Sequence, residues 1–139
     1  MILVLDTNVL VSGLLSAENP PGRILDLVRL GSVRLAVDDR ILAEYEDVLA
    51  RPRFRSYFSN EEKQRVMGYI RADSLAVVCG TAVEGLPDPS DAPFAETALA
   101  ARAPLVTGNL KHFPARICEG IRIITPADFL AEFRLQSGQ

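Results

Sequence analysis

Five short, mainly apolar runs recur along the chain, the first of them unbroken: Met1–Leu5 (MILVL), Val33–Val37, Leu75–Cys79 (LAVVC), Leu105-Val106-Thr107 and Ile121–Ile124. Runs of this length suit strands buried on both faces. The stretches between them carry helix signals. After the turn Asn19-Pro20-Pro21-Gly22, residues Ile24, Leu25, Val28 and Leu30 predict a short helix ended by Gly31. Asp38 is placed to cap a helix through Leu49, stopped before Pro52. Ser59 with Glu62 forms a capping box that opens a helix to about Ser74. Ser90 caps a helix through Arg102, with Pro93 in the first turn, where a residue without an N–H donor is tolerated. Thr125-Pro126 starts a last helix with proline at its first position. Strands alternating with helices call for a doubly wound α/β fold, a parallel sheet with helices on both faces. No repeat, low-complexity tract or linker interrupts the 139 residues, so one domain over 1–139 is expected.

Composition narrows the classes. Apolar residues at 48% and charged ones at 24% belong to a globular protein. No apolar run approaches the roughly 20 residues that cross a bilayer. The opening MILVLDTNVLVSGLL has no basic segment before it and is interrupted by Asp6, so neither a signal peptide nor a membrane partner is expected. Cys79 and Cys118 show no CxxC spacing and the chain has one histidine, which excludes an ordinary zinc site and suggests small buried thiols in a reducing cytoplasm. The net charge of −3 is not the basic footprint of most nucleic-acid binders. Arg51, Arg53 and Arg55 are a local exception that charge alone reads as a solvated loop.

In doubly wound sheets, sites form beyond the carboxyl ends of the strands, where strand order reverses. Asp6 directly follows the first run and Asn109 closely follows the fourth. Asp91 precedes Phe94, Ala95, Ala98 and Leu99 by three, four, seven and eight positions, so it points along the buried stripe of its helix. An acid serving only the helix dipole need not face inward, and a buried carboxylate without a partner is costly. Glu44 and Glu46 flank the apolar face of their helix equally, and periodicity does not choose between them. Asp6 reads as a site acid or a helix cap; Asp88, before Pro89, reads first as a turn or cap acid with an outer-shell role second. His112 has no nucleophile motif around it and reads as a solvated loop histidine. Three converging carboxylates suit Mg²⁺ or Mn²⁺, which prefer oxygen ligands.

LDTNVLVSGLLS at Leu5–Ser16, ILAEYEDVLARPRF at Ile41–Phe54, LPDPSDAPFAETALAARA at Leu86–Ala103, LVTGNLKHFP at Leu105–Pro114 and ITPADFL at Ile124–Leu130 together resemble the PIN-domain family. The likeness runs nearly end to end and is strongest to the bacterial VapC-type toxins of toxin–antitoxin pairs. It implies a three-layer domain with a five-stranded parallel sheet flanked by helices. It matches Asp6, Glu44 and Asp91 to the family's metal-binding acids, which selects Glu44 over Glu46. The family's fourth acidic position falls at Asn109, an amide here, and Ala92 stands where relatives often carry Asn. Both departures point towards a single metal ion or modest activity. The resemblance further implies Mg²⁺- or Mn²⁺-dependent cleavage of RNA, a small antitoxin partner and a homodimer. Asn109 would orient the ion or its water, Thr107 and Asn8 would orient water or carboxylates, and Lys111 would contact the RNA backbone.

Rival readings differ in what they need. A PIN-type nuclease of RNA processing or DNA cleavage would lack an antitoxin, and a catalytically weak nucleic-acid-binding module is made credible by Asn109. A phosphoacceptor receiver needs an early acidic pair that does not precede Asp38 and Asp39. A phosphatase of the DxDx[TV] type needs an acid where Asn8 stands.

Overall fold

The computed structural model describes residues 1–137. The chain runs β1 (Ile2–Leu5), α1 (Thr7–Leu15), α2 (Pro20–Arg29), β2 (Arg34–Val37), α3 (Asp39–Leu49), α4 (Asn60–Asp73), β3 (Leu75–Ala76), α5 (Ala92–Ala101), β4 (Leu105–Val106), β5 (Ile123–Ile124) and α6 (Pro126–Gln136). Short 3₁₀ turns at Pro52–Phe54, Pro89–Asp91 and Leu110–His112 punctuate it. The strands form one parallel sheet in the order β3-β2-β1-β4-β5, as the doubly wound reading requires. Leu3, Val4 and Leu5 of β1 and Leu105 and Val106 of β4 are fully enclosed, as befits central parallel strands covered on both faces.

Local chemistry fixes most helix starts. Asp38 accepts from the Ile41 amide at 3.0 Å, Ser59 and Glu62 complete the reciprocal box, and Thr125 accepts from the Asp128 amide at 3.2 Å. Three expectations are corrected. Asn19 is itself the cap of α2, accepting from the Gly22 amide at 2.8 Å, so Pro20 is already helical rather than part of a turn. Asp88, not Ser90, caps the 3₁₀ turn that leads into α5: its carboxylate accepts from the Ser90 amide at 3.0 Å. The third strand stops at Ala76, because β3 lies at the sheet edge and Val78 is 94% exposed. Between α1 and α2 the backbones meet closely: a Cβ added at Gly22 would sit 2.2 Å from the Ser16 carbonyl oxygen. Among the described residues, no helix is long and apolar enough to cross a membrane.

Candidate active site

The sheet order reverses between β1 and β4, and a hydrogen bond spans that switch point. Asp6, at the carboxyl end of β1 and 6% exposed, accepts from the Thr107 hydroxyl at 2.7 Å, just past the end of β4. Its other oxygen accepts from the Thr7 amide at 2.9 Å, so one carboxylate both caps α1 and ties the two central strands. Thr107 is itself enclosed, and its oxygen accepts from the Asn109 amide at 3.0 Å. Burial raises the Asp6 pKa above its ordinary 3.8, against the lowering pull of Thr107 and Thr7.

Glu44 comes to the same region from α3. Its carboxylate accepts from the Thr7 hydroxyl, so Thr7 bridges it to Asp6 through one residue. Glu46 instead pairs with Arg71 of α4 at 2.5 Å, which separates the two glutamates that periodicity left level. Tyr45, fully buried, donates to the Leu5 carbonyl and so holds α3 against the end of β1. Its phenol pKa is raised by burial and by the charges of Asp6 and Glu44, which keeps it neutral.

Asp91 enters from the start of α5. It occupies the N-cap position but makes no capping bond with its side chain, since Asp88 has taken the preceding turn. Its side chain is only 14% exposed, and His112 Nδ1 lies 3.0 Å from its Oδ2. That is an ion-pair distance, yet no aligned hydrogen bond reaches this buried oxygen. Burial, then the charges of Asp6 and Asp88, push the Asp91 pKa up to about 6, with His112 opposing them. The electrostatic influence of Asp6 on Asp91 puts the two acids in one field. His112 is 42% exposed on a short turn, as a loop histidine would be, but the 3₁₀ turn after β4 also folds it back onto Asp91, a contact not expected from sequence. No sequence spacing links residues 91 and 112.

The remaining residues lie further out. Asn8 is exposed, and its side-chain amide lies near Gly108, where an added Cβ would stand 3.8 Å from Asn8 Oδ1. Asp88 is exposed and held by Ser90, which lowers its pKa. Asn109 is half-buried and Lys111 exposed, both beyond β4. Cys118 is buried as expected, whereas Cys79 is only partly covered.

Among the described residues, no three acidic, histidine or cysteine side chains stand together as a ready metal cage. Glu44 is turned onto Thr7 and Asp91 lies against His112. The donors nevertheless fit a hard cation. Asp6 and Asp91 supply carboxylate oxygen, Asp91 Oδ2 is buried without a completed hydrogen bond, and Mg²⁺ commonly takes one or two carboxylates while keeping its waters.

Comparison with known proteins agrees with this architecture. The sequence profile of the PIN domain matches residues 2–111. The uncharacterised protein MJ1680 of Methanocaldococcus jannaschii is 26% identical over 140 residues, covering 94% of this chain and 90% of that protein. Similar folds occur in VapBC2 from Rickettsia felis bound to a DNA fragment from their promoter, with TM-score 0.56 and 18% identity, covering 90% of this chain and 98% of that one. FitAcB from Neisseria gonorrhoeae gives TM-score 0.58 and 19% identity over 91% of this chain and 99% of that one. At such identities these likenesses concern the fold. The profile, by contrast, runs from β1 through the turn beyond β4 and spans most of the sequence: the chain belongs to the PIN-domain family.

Proposed function

We propose that this chain is a divalent-cation-dependent endoribonuclease, the toxin of a type II toxin–antitoxin pair, acting as one PIN domain over residues 1–139 in the cytoplasm. The observation that carries the reading is Asp91: a largely buried carboxylate whose inner oxygen has only the misaligned His112 Nδ1 beside it at 3.0 Å, and whose pKa is raised by burial and by the charge of Asp6. Folding alone does not favour such a pair, and a bound cation would offset the cost.

Asp6, Asp91 and Glu44 would hold Mg²⁺ or Mn²⁺. Once bound, such an ion lowers the pKa of a water and neutralises charge on a phosphodiester. The chain's own groups prepare the place. Thr107 and the Thr7 amide fix both oxygens of Asp6, and the Thr7 hydroxyl fixes Glu44. Asn109, anchored through its amide to Thr107, would present its side chain to a water or to the substrate. Asn8 lies across from it near Gly108, and Lys111 is exposed on the next turn as a contact for the RNA backbone. Asp88 would act only from a distance, through its charge on Asp91.

The toxin role draws support from the fold shared with VapBC2 and FitAcB, and with a FitAB complex bound to an IR36 DNA fragment at TM-score 0.57. A small antitoxin and a homodimer belong to the same proposal. Asn109, an amide where an acid is usual, favours a second reading: a weakly catalytic PIN module that binds RNA. Incubation with total and transfer RNA in Mg²⁺ or Mn²⁺ separates the two. Wild type should cut at defined positions and Asp6→Ala should not; binding without cation-dependent cuts would leave the module standing.

A further inference from the structure

Outside the acidic site, a second charge network, with two largely covered carboxylates and a half-exposed arginine, joins the helices that carry it. Glu96 of α5 is 9% exposed, and its two carboxylate oxygens have different partners. Oε1 accepts from Arg40 Nη1 at 2.8 Å, and Oε2 accepts from the Val83 amide at 2.9 Å. Arg40 also reaches back to Asp38, with Nη2 2.7 Å and Nε 2.8 Å from Oδ2, while Asp38 Oδ1 caps α3. Arg40 precedes Glu44 by four residues, one turn along the same face of α3. Glu96 follows Asp91 by five residues along α5.

The partners of this network lie where placement matters. Residues 77–88 form the long connection from the edge strand to the cap at Asp88, and the network holds it twice. Val83 is bonded to Glu96, and Cys79 Sγ lies 3.7 Å from Asp38 Oδ2 and 3.5 Å from the enclosed Thr97 hydroxyl. That connection delivers Asp88 and the turn carrying Asp91. With its backbone pinned, the entry to α5 is set relative to α3.

We propose that Arg40 and Glu96 are positioning residues for the acidic site: their bridge fixes α3 against α5, and hence Glu44 against Asp91, and holds residues 77–88 so that Asp91 faces Asp6. This rests on the cation reading above. Groups hydrogen-bonded directly to metal ligands cost about 10- to 100-fold in metal affinity when changed, and a bridge that acts one step further out is expected to cost about tenfold. A half-buried ion pair replaced on both sides by apolar groups of similar size is often neutral for stability. The double variant Arg40→Met/Glu96→Met should therefore stay folded, melting below wild type only by the loss of the Val83 bond, yet bind Mn²⁺ about tenfold more weakly, read by electron paramagnetic resonance. Arg40→Met alone should show a similar loss, and the double variant should lose no more than the worse single one. The Val83 amide should exchange roughly tenfold faster in Glu96→Met, its acceptor gone. Arg29→Met, which removes an exposed pair on α2, should change none of these. Wild-type Mn²⁺ affinity in the double variant, or losses that simply add, would overturn the bridge's role while leaving the cation reading intact. A wild type that binds no Mn²⁺ would bring down both.

Discussion

At Asp91 two demands conflict. With its pKa near 6 rather than 3.8, the carboxylate form is disfavoured in the folded chain by about 1–2 kcal/mol once solvent screening is allowed for. The folded state holds this proton more tightly than the unfolded one, so stability falls as pH rises from about 4 through 6. Asp91→Asn should accordingly raise the melting temperature at pH 7.5 in chelator, and the gain should vanish by about pH 4, which a pH series of calorimetric scans would check. The same change should abolish cation-dependent RNA cleavage. Thr107→Val tests the other acid. Loss of the hydroxyl that donates to buried Asp6 should cost about 1–3 kcal/mol in denaturant titration and lower Mn²⁺ affinity. At this scale the sequence marks Asp91 as inward-facing, although that residue lies in the 3₁₀ turn before α5 rather than on the helix whose period suggested it. It does not show His112 lying on Asp91, nor Thr7 joining Asp6 to Glu44, since each depends on how distant elements dock.

At the scale of elements, the tightest constraint is the crossing of α1 and α2. Gly22 faces the Ser16 carbonyl with no room for a methyl, and Gly13 faces the Pro21 carbonyl oxygen, 2.8 Å from where a Cβ would stand. Backbone cannot yield as a flexible side chain does. Gly22→Ala should therefore destabilise by about 1–3 kcal/mol, measured by chemical denaturation, with no direct effect on the acids. Because Asp6 caps α1, a larger shift there would also disturb the site. Capping residues made α3, α4 and α6 legible from sequence. The helix α1 was not, because in TNVLVSGLL the only polar side chains past the first residue are Asn8 and Ser12, too few against the apolar ones for a 3.6-residue period to stand out. At the entry to α5, two cap formers on either side of Pro89 competed. Asp88 took the Ser90 amide, and only the three-dimensional path of residues 77–88 decides that.

For the whole molecule, strand alternation specified the parallel class, while the order β3-β2-β1-β4-β5 and the place of the reversal came from tertiary pairing. A ligand that binds only the folded state stabilises it by mass action, about 2.7 kcal/mol at a hundredfold excess over Kd. For a domain of this size, Mn²⁺ at that level should raise the melting temperature by roughly 5–10 °C. Protons compete for Asp91, so the increment should shrink as pH drops through about 6. Asp6→Asn should lose it at every pH, and a wild type indifferent to Mn²⁺ in differential scanning fluorimetry would refute the cation site.

The bond from Thr107 to Asp6 closes a span of 101 residues. While the protein is still emerging from the ribosome, Asp6, Glu44 and even Asp91 are made before the strand that brings Thr107 beside them. A site laid out this way is assembled only after β4 has been made. Nascent chains stalled short of β4 should accordingly show no cutting, whatever acids they already display.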